Sequence, residues 1–377
     1  MRFSILSLVA IGLRYINAQT YTGPEDSRIE TALTLDVPTN GVSTTPSGRL
    51  FLVLSRVDGS KGPQVVEYNR TTSTMTAYPN EEWNSYADGK DPGSHLVRIN
   101  SQRIGPDGKL YLVDVGSPSF GEPVIFPHGP KLVQVDVEKN EVSRIFWMAN
   151  ATRYNSLLDD VRFNPATGKA YLTDAGSPGL IVLDLASGDS RRVLESYPGI
   201  TQGATPMSAE GQYIVQSANG ESLFIHADQL EVSPDGKWLY FQPANGGMSK
   251  IETSWLNQAF YNTSLAGDVL KSYVQVHSLT PPTSGTAIDA DGCVYVSDTD
   301  SQRIIKLDPS GKKELVVQDP RLLWVDAMWI DSEKKLWMPA AQLNRGIPFG
   351  NGKLNITKPL HTFTIDIGVG PSLIDHA

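Results

Sequence analysis

Six polar residues share one register in this sequence. Counting eight residues back from each of six hairpin turns gives Asn40, Asn100, Asp160, Asp228, Ser284 and Asp326. Every one is polar and three are acids, which predicts a ring of side chains around a common axis. Carboxyls crowded into a narrow, poorly hydrated channel raise one another's pKa. A raised carboxyl suits general acid–base work near neutral pH. The same oxygens also suit Ca²⁺, which takes roughly 6–8 oxygen ligands. A plainer role competes with both, in which polar strand starts hydrogen-bond loop backbone and channel water.

A second set lies six residues after the turns: Asp114, Asp174 and Asp298, with Gln242, Gln342 and Asn344 near the equivalent places in other repeats. These strand ends should reach the same face as the ring. Trp324 and Trp329 flank Asp326, and His95, Arg98, His226 and Arg345 fall in loops expected near the mouth. Each has two readings. The tryptophans stack on a ligand or fill the core; the histidines line a pocket or bond loop backbone; Arg345 faces the pocket or solvent.

The elements that position these residues are a repeat. Pro46-Ser47-Gly48-Arg49-Leu50-Phe51 recurs as Pro106-Asp107-Gly108-Lys109-Leu110-Tyr111, Ala166-Thr167-Gly168-Lys169-Ala170-Tyr171, Pro234-Asp235-Gly236-Lys237-Trp238-Leu239-Tyr240 and Ala290-Asp291-Gly292-Cys293-Val294-Tyr295. In a sixth copy, Ser332-Glu333-Lys334-Lys335-Leu336-Trp337, Lys334 takes the glycine's place. Glycine supplies the positive φ of a tight hairpin turn. Further strands follow several hairpins, such as Gly179–Leu185 and Arg303–Asp308. The best helical stretch, Thr253–Phe260, is short. Four strands in each of six repeats predict an all-β, six-bladed β-propeller in one domain, residues 19–377. The last blade, with Val325–Asp331, Lys335–Pro339 and His361–Ile367, lacks a strand that Ile29–Val37 would supply. Residues 201–226 fit no blade; an extra hairpin, Tyr213–Gln216 with Ser222–Ile225, is expected over one face.

Composition agrees. Of 377 residues, 40% are hydrophobic and 19% charged, which excludes a disordered chain. The formal charge of −9 argues against nucleic acid as a partner. One cysteine, Cys293, excludes an intrachain disulfide and any multi-cysteine metal site; in a hairpin strand it reads as a small apolar filler. A G-x-S-x-G elbow, an H-E-x-x-H helix, a P-loop and a dinucleotide fingerprint are all missing. Residues 1–18 read as a secretory signal peptide: Arg2 precedes an apolar run, and Ile16-Asn17-Ala18 offers a cleavage site. Its removal takes Arg2 and Arg14 with it. The run is too short for a stable membrane anchor. Asn69, Asn150, Asn262 and Asn355 head N-x-[ST] sequons, candidate glycosylation sites of a secreted or lumenal protein. A monomer or weak oligomer is expected.

Several blocks carry a resemblance. Leu158-Asp159-Asp160-Val161-Arg162-Phe163, Gly168–Gly176, Gly179–Leu185, Val232–Tyr240 and Trp324-Val325-Asp326-Ala327-Met328-Trp329 resemble the royal jelly/yellow protein family, over roughly residues 90–367. That resemblance implies a secreted six-bladed propeller with a ligand site in the channel mouth, serving dopachrome-type tautomerisation, amine binding or storage. In size, leader and architecture the chain also resembles fungal hetero-Diels–Alderase propellers, which join a quinone methide to an alkene. Lactonase propellers share the fold but use a metal-binding Glu near the N-terminal strand; Glu30, the nearby candidate, lies in the closing strand.

The resemblances imply a cofactor-independent isomerase or cyclase of specialised metabolism acting on a quinone-like small molecule. Under that reading Asp160, Asp228 and Asp326 exchange protons, and Arg345, Asn100 and Gln342 donate to a developing oxyanion. Trp324 stacks on the ring, while Asn40, Ser284 and Asn344 bind substrate. The alternatives are an amine- or aromatic-binding protein and, more remotely, a metal-dependent lactonase or hydrolase; no cofactor is expected, with Ca²⁺ in the ring as the alternative.

Overall fold

The computed structural model describes residues 20–214 and 223–376. The expected signal peptide lies outside them. Six four-stranded antiparallel sheets are arranged as the blades of a propeller. Blade one runs Thr39–Thr44, Leu50–Leu54, Val65–Asn69 and Thr74–Ala77. The innermost strands of blades two to six are Ile99–Ile104, Leu158–Asn164, Ala227–Val232, Thr286–Ile288 and Trp329–Ile330.

The hairpin turns form as their residues dictate. Gly48, Gly108, Gly168, Gly236 and Gly292 all have positive φ, between 64° and 88°. Lys334 accepts the same conformation, at φ 65°, at a cost of about 1 kcal/mol for a side chain held there. The second strands, such as Leu50–Leu54 and Leu110–Asp114, are buried along their whole length because a blade lies against each face. Outer strands such as Glu141–Trp147 are largely exposed. The core is therefore distributed between blades. Phe51, Leu110 and Trp337 pack in one interblade cluster, and Leu239, Phe241 and Tyr171 in another. Each such side chain stabilises the packing by ~1.5–3 kcal/mol. The expected helix forms as Thr253–Tyr261, in the connection between the last two strands of blade four.

The ring of blades closes through the N-terminal strand. Glu30–Leu35 pairs with Leu360–Asp366, from Glu30↔Thr364 to Leu35↔Leu360. Leu33 and Leu35 enter the core, and Glu30 is spent on an ion pair with Lys335 at 2.8 Å. Removing residues 20–35 should bare the Leu360–Asp366 edge and leave one blade incomplete. We expect such a chain to be recovered as aggregate, whereas a soluble monomer melting at the parent temperature would contradict this closure.

Two details differ from the sequence expectation. The innermost strand of blade six was expected over Val325–Asp331, but only Trp329–Ile330 is regular. Val325 instead bridges Ala340, and Ala327 bridges Gly41 of blade one, so the preceding residues arc across the channel mouth. The extra hairpin expected at 213–216 and 222–225 lies partly outside the described residues. The described part shows Ser208–Ala209 paired with Gln212–Tyr213, and Leu223 N donating to Ile214 O at 3.1 Å.

The C-terminal segment turns into the channel from the hairpin end. Pro371 bridges Asp289, and Asp375 and His376 are fully enclosed. Asp375 pairs with Arg103, and Arg162 lies 3.8 Å away. His376 stacks on Trp329 at 3.6 Å and donates to Ile330 O at 2.6 Å. One end of the channel is thus plugged by the chain itself.

Candidate functional site

The open end carries the polar ring. In blades one, two and four the ring residue is the extra residue of a β-bulge: Asn40 between Thr39 and Gly41, Asn100 between Ile99 and Ser101, Asp228 between Ala227 and Gln229. A bulge re-aims one side chain without breaking the strand, and here it turns each ring residue to the axis. Blade three has the same bulge between Leu158 and Val161, so two aspartates, Asp159 and Asp160, face one partner.

Asp159, not Asp160, holds the mouth position of that blade. It lines the mouth with Asn40, Asn100, Asp228, Ser284 and Asp326. Asp160 sits deeper, 2.6 Å from Arg162 Nη1 in an ion pair. The cause is the blade-three hairpin, Asn164-Pro165-Ala166-Thr167-Gly168, which is one residue longer than Gly105-Pro106-Asp107-Gly108. Its Phe163↔Ala170 pair spans one residue more than Ile104↔Leu110. Counting back from the proline rather than the glycine would have found Asp159.

The ring is stitched together by its own donors. Asn40 Nδ2 donates to Asn100 O at 2.8 Å, Asn100 Nδ2 to Asp159 O at 3.4 Å and Ser284 Oγ to Val325 O at 2.6 Å. Thr173 and Gln229 make the corresponding links to Asp228 O and Thr283 O. Gly285 has no alternative here, because a Cβ on it would lie 2.2 Å from Asp326 O. The amide of Asn100 is therefore committed to the fold. Asn40 Oδ1, in contrast, is buried without a partner.

Three carboxyls face one another in this mouth. Burial pushes Asp326 up to about 8; hydrogen bonds from Ala327 N and Trp324 Nε1 oppose the rise, and Asp159 and Asp160 add to it. Burial likewise pushes Asp228 up to about 7, moderated by hydrogen bonds to Asp159 and Gln229. Asp159 is raised well above the ordinary carboxylate range by burial and by the neighbouring Asp228 carboxyl, with which it shares a hydrogen bond. Among the described residues, no group of three or more His, Cys, Asp or Glu has the convergence a metal ion needs.

Above the ring lies a space of about 60 Å³, walled by Phe120, Leu157, Ile225, Trp324 and Phe349. It shares Asn40, Asn100, Phe120, Leu343 and Phe349 with a larger cavity of about 210 Å³ to one side. Arg56 and Arg98 line that cavity. Below the ring the way is shut by Arg162, which chelates Glu231 through 2.8 Å contacts, and by the plug. Among the described residues the mouth end is the open one.

The remaining sequence candidates are placed elsewhere or used otherwise. Arg345 forms a two-point ion pair with Glu210, at 2.6 and 2.9 Å, and Asn344 donates to the same carboxylate. They clasp the short hairpin at residues 208–213 in a separate surface depression. Gln342 is bonded to Thr357 through both N–H and carbonyl. Gln242 accepts from Thr280 Oγ1. Asp114 accepts from the backbone N–H of Val97 and Arg98 and from Lys131; Asp174 does the same for Leu157 and Arg192. Asp298 binds Ser301 N and Arg303. These aspartates anchor the loops at the mouth face rather than line the mouth. Trp324 is buried beside Phe349 and orients Asp326, whereas Trp329 belongs to the interblade core. His95 bonds Asp91 O and His226 accepts from Gln202 N. Asn69, Asn150, Asn262 and Asn355 are all exposed.

Solved structures share this fold at low identity. A calcium-binding regucalcin from Agrobacterium tumefaciens is similar at a TM-score of 0.54 and 10% identity, over 92% of this chain and 96% of that one. A luciferin-regenerating enzyme gives 0.54 and 14%, over 91% and 96%. A gluconolactonase from Xanthomonas campestris gives 0.53 and 10%, over 90% and 89%. No curated protein sequence matches the chain. The family model described as Major royal jelly protein matches residues 102–357, most of blades two to six, including Asp159, Asp228, Ser284 and Asp326. The chain belongs to the major royal jelly protein family.

Proposed function

We propose that this protein is a cofactor-independent enzyme that isomerises or cyclises an oxygenated, quinone-like small molecule in the channel mouth. The observation that carries this is the carboxyl cluster. Asp228 and Asp326 titrate near about 7 and about 8, where a group both accepts and returns a proton efficiently. Tautomerisation needs that alternation: one carboxylate removes a proton from the ring carbon while a neighbouring carboxylic acid donates to the oxygen. A cyclisation would draw on the closed, apolar-walled space to hold its reacting ends together. Trp324 acts through Asp326 as a positioning residue.

The test is the pH dependence of turnover with a panel of quinoid substrates. We expect a bell-shaped profile whose limbs fall near pH 7 and 8, unchanged by a chelator. Turnover that is flat from pH 5 to 9, or lost on chelation, would overturn the reading. A second reading, retention of a cationic amine by the acidic ring, predicts saturable amine binding without turnover. The N-terminal apolar run and the four exposed sequon asparagines support a place in the secretory pathway. Among the described residues no helix is long and apolar enough to cross a membrane.

A further inference from the structure

The oxyanion donors expected from sequence are occupied: Asn100 by Asp159 O, Gln342 by Thr357 O, Arg345 by Glu210. The larger cavity offers two others. Arg56 projects into it with no hydrogen-bonded or ion-paired partner among the described residues, and its Nε is buried unpaired. No carboxylate lies near enough to offset the desolvation that depresses its pKa. The backbone of Arg56 is also held at φ 56°, in the left-handed region, a conformation that a non-glycine residue adopts at a cost. Arg98 spends Nε and Nη2 on Ser117 alone, at 3.2 and 2.9 Å, and its guanidinium carbon lies 5.8 Å from the Phe120 ring centre. Burial lowers Arg98 to about 10, partly offset by Asp114 and Asp159.

A half-buried guanidinium whose Nε is shut from water without a partner is costly, and a structure that keeps one at a cavity wall has a use for an anion there. Between these arginines and the acid ring stands Asn40, which lines both spaces. Its Nδ2 is fixed on Asn100 O, so its free Oδ1 presents an acceptor.

We propose that Arg56 and Arg98 form an anion subsite that takes the ionised oxygen of the substrate, while Asn40 Oδ1 accepts from an adjacent hydroxyl. The substrate class is then an acidic, hydroxylated ring: an enolate, phenolate or carboxylate with a neighbouring O–H. This rests on the proton-transfer reading of the same mouth and adds polarity to it. The anionic oxygen lies toward the arginines, and the carbon or oxygen that exchanges protons lies over Asp159, Asp228 and Asp326. It also disfavours a cationic amine, which two arginines lacking a full set of acid partners would repel.

Calorimetry on the full mature chain tests this with three probes. Salicylate carries an anion beside a hydroxyl, salicylamide is its neutral counterpart, and tyramine is a cationic phenol. We expect salicylate to bind at least about tenfold more tightly than salicylamide, as expected for a charge-assisted contact. Arg56→Gln should remove that preference, and Arg56→Lys should restore part of it. Arg56 has no side-chain partner to lose among the described residues, so Arg56→Gln should melt at or above the parent temperature. Asp228→Asn should keep salicylate binding while losing turnover, which separates failure of the subsite from failure of the proton-transfer reading. Equal binding of salicylate and salicylamide, a preference for tyramine, or salicylate binding unchanged by a folded Arg56→Gln variant would each overturn the proposal.

Discussion

Replacing Asp228 with Asn should lower turnover by roughly 10²–10⁴-fold, the usual contribution of a positioned acid or base, without destabilising the fold. The amide keeps the shape and the bond from Gln229, but it neither gives nor takes a proton. Its effect on stability follows from the direction of the pKa shifts. Asp228 and Asp326 sit at about 7 and about 8, above the ordinary value of 3.8. A carboxyl raised on folding gives its full stability below pH 3.8, where both states are protonated. That stability is lost as pH rises through 7 and 8, because the folded protein must then bury a charge. At pH 3.5 parent and variant should melt within a degree or two of each other, and the gap should open as pH rises above 3.8 and the unfolded carboxyl ionises. At pH 8.5 the variant should melt higher, by ~1–2 °C for each kcal/mol of strain relieved. Asp326→Asn should behave in the same way. A variant that retains turnover would remove Asp228 from the mechanism; one that is less stable at pH 8.5 than the parent would show that the mouth is not a site of stored electrostatic strain.

The second large effect is expected at the opposite end of the channel. Asp375→Ala should cost ~3–5 kcal/mol, because it leaves Arg103 buried without its partner and Arg162 short of one of three. Melting should fall by ~3–10 °C. Burial opposes ionisation of Asp375, but Arg103, His376 and Arg162 outweigh it and hold the carboxyl well below its usual range. A carboxyl lowered on folding stabilises the protein above pH 3.8, and that contribution fades as pH falls through the folded value. The deficit of Asp375→Ala should therefore be complete at neutral pH and shrink only in strong acid. Truncation after Gly370 should show the same deficit and also admit water to the channel from the hairpin side. If either variant melts with the parent, the plug is ornamental and ligand entry from both ends has to be considered.

How far the sequence could be read depended on the range of the interaction concerned. Hairpin chemistry is local. A glycine at positive φ and an apolar strand on either side are visible in a dozen residues, so the six repeats, the blade count and the closing strand were legible before any coordinates. The spacing from the hairpin turn to the mouth obeys the same locality, which is why five of the six ring residues come from a count. Blade three failed for a local reason too: an extra residue between Pro165 and Gly168 shifted the count from Asp159 to Asp160.

What the sequence could not apportion was which polar atoms remained free. Asn100, Gln342 and Arg345 are good donors in isolation, yet each meets an acceptor 15 to 135 residues away, and only packing brings those partners together. Arg56 stands out for the converse reason: a loop arginine is unremarkable until packing turns it into a cavity with no carboxylate partner among the described residues. The C-terminal plug is the same case, since Asp375 meets Arg103 from 272 residues away. The sequence by itself determined the repeat, its closure and the polar ring, because turn conformation and strand alternation are set by near neighbours. The tertiary structure alone decided which carboxyls face one another, which arginine lacks an acid partner among the described residues and which end of the channel the C-terminal segment fills, because burial and long-range contact determine the electrostatics of each group.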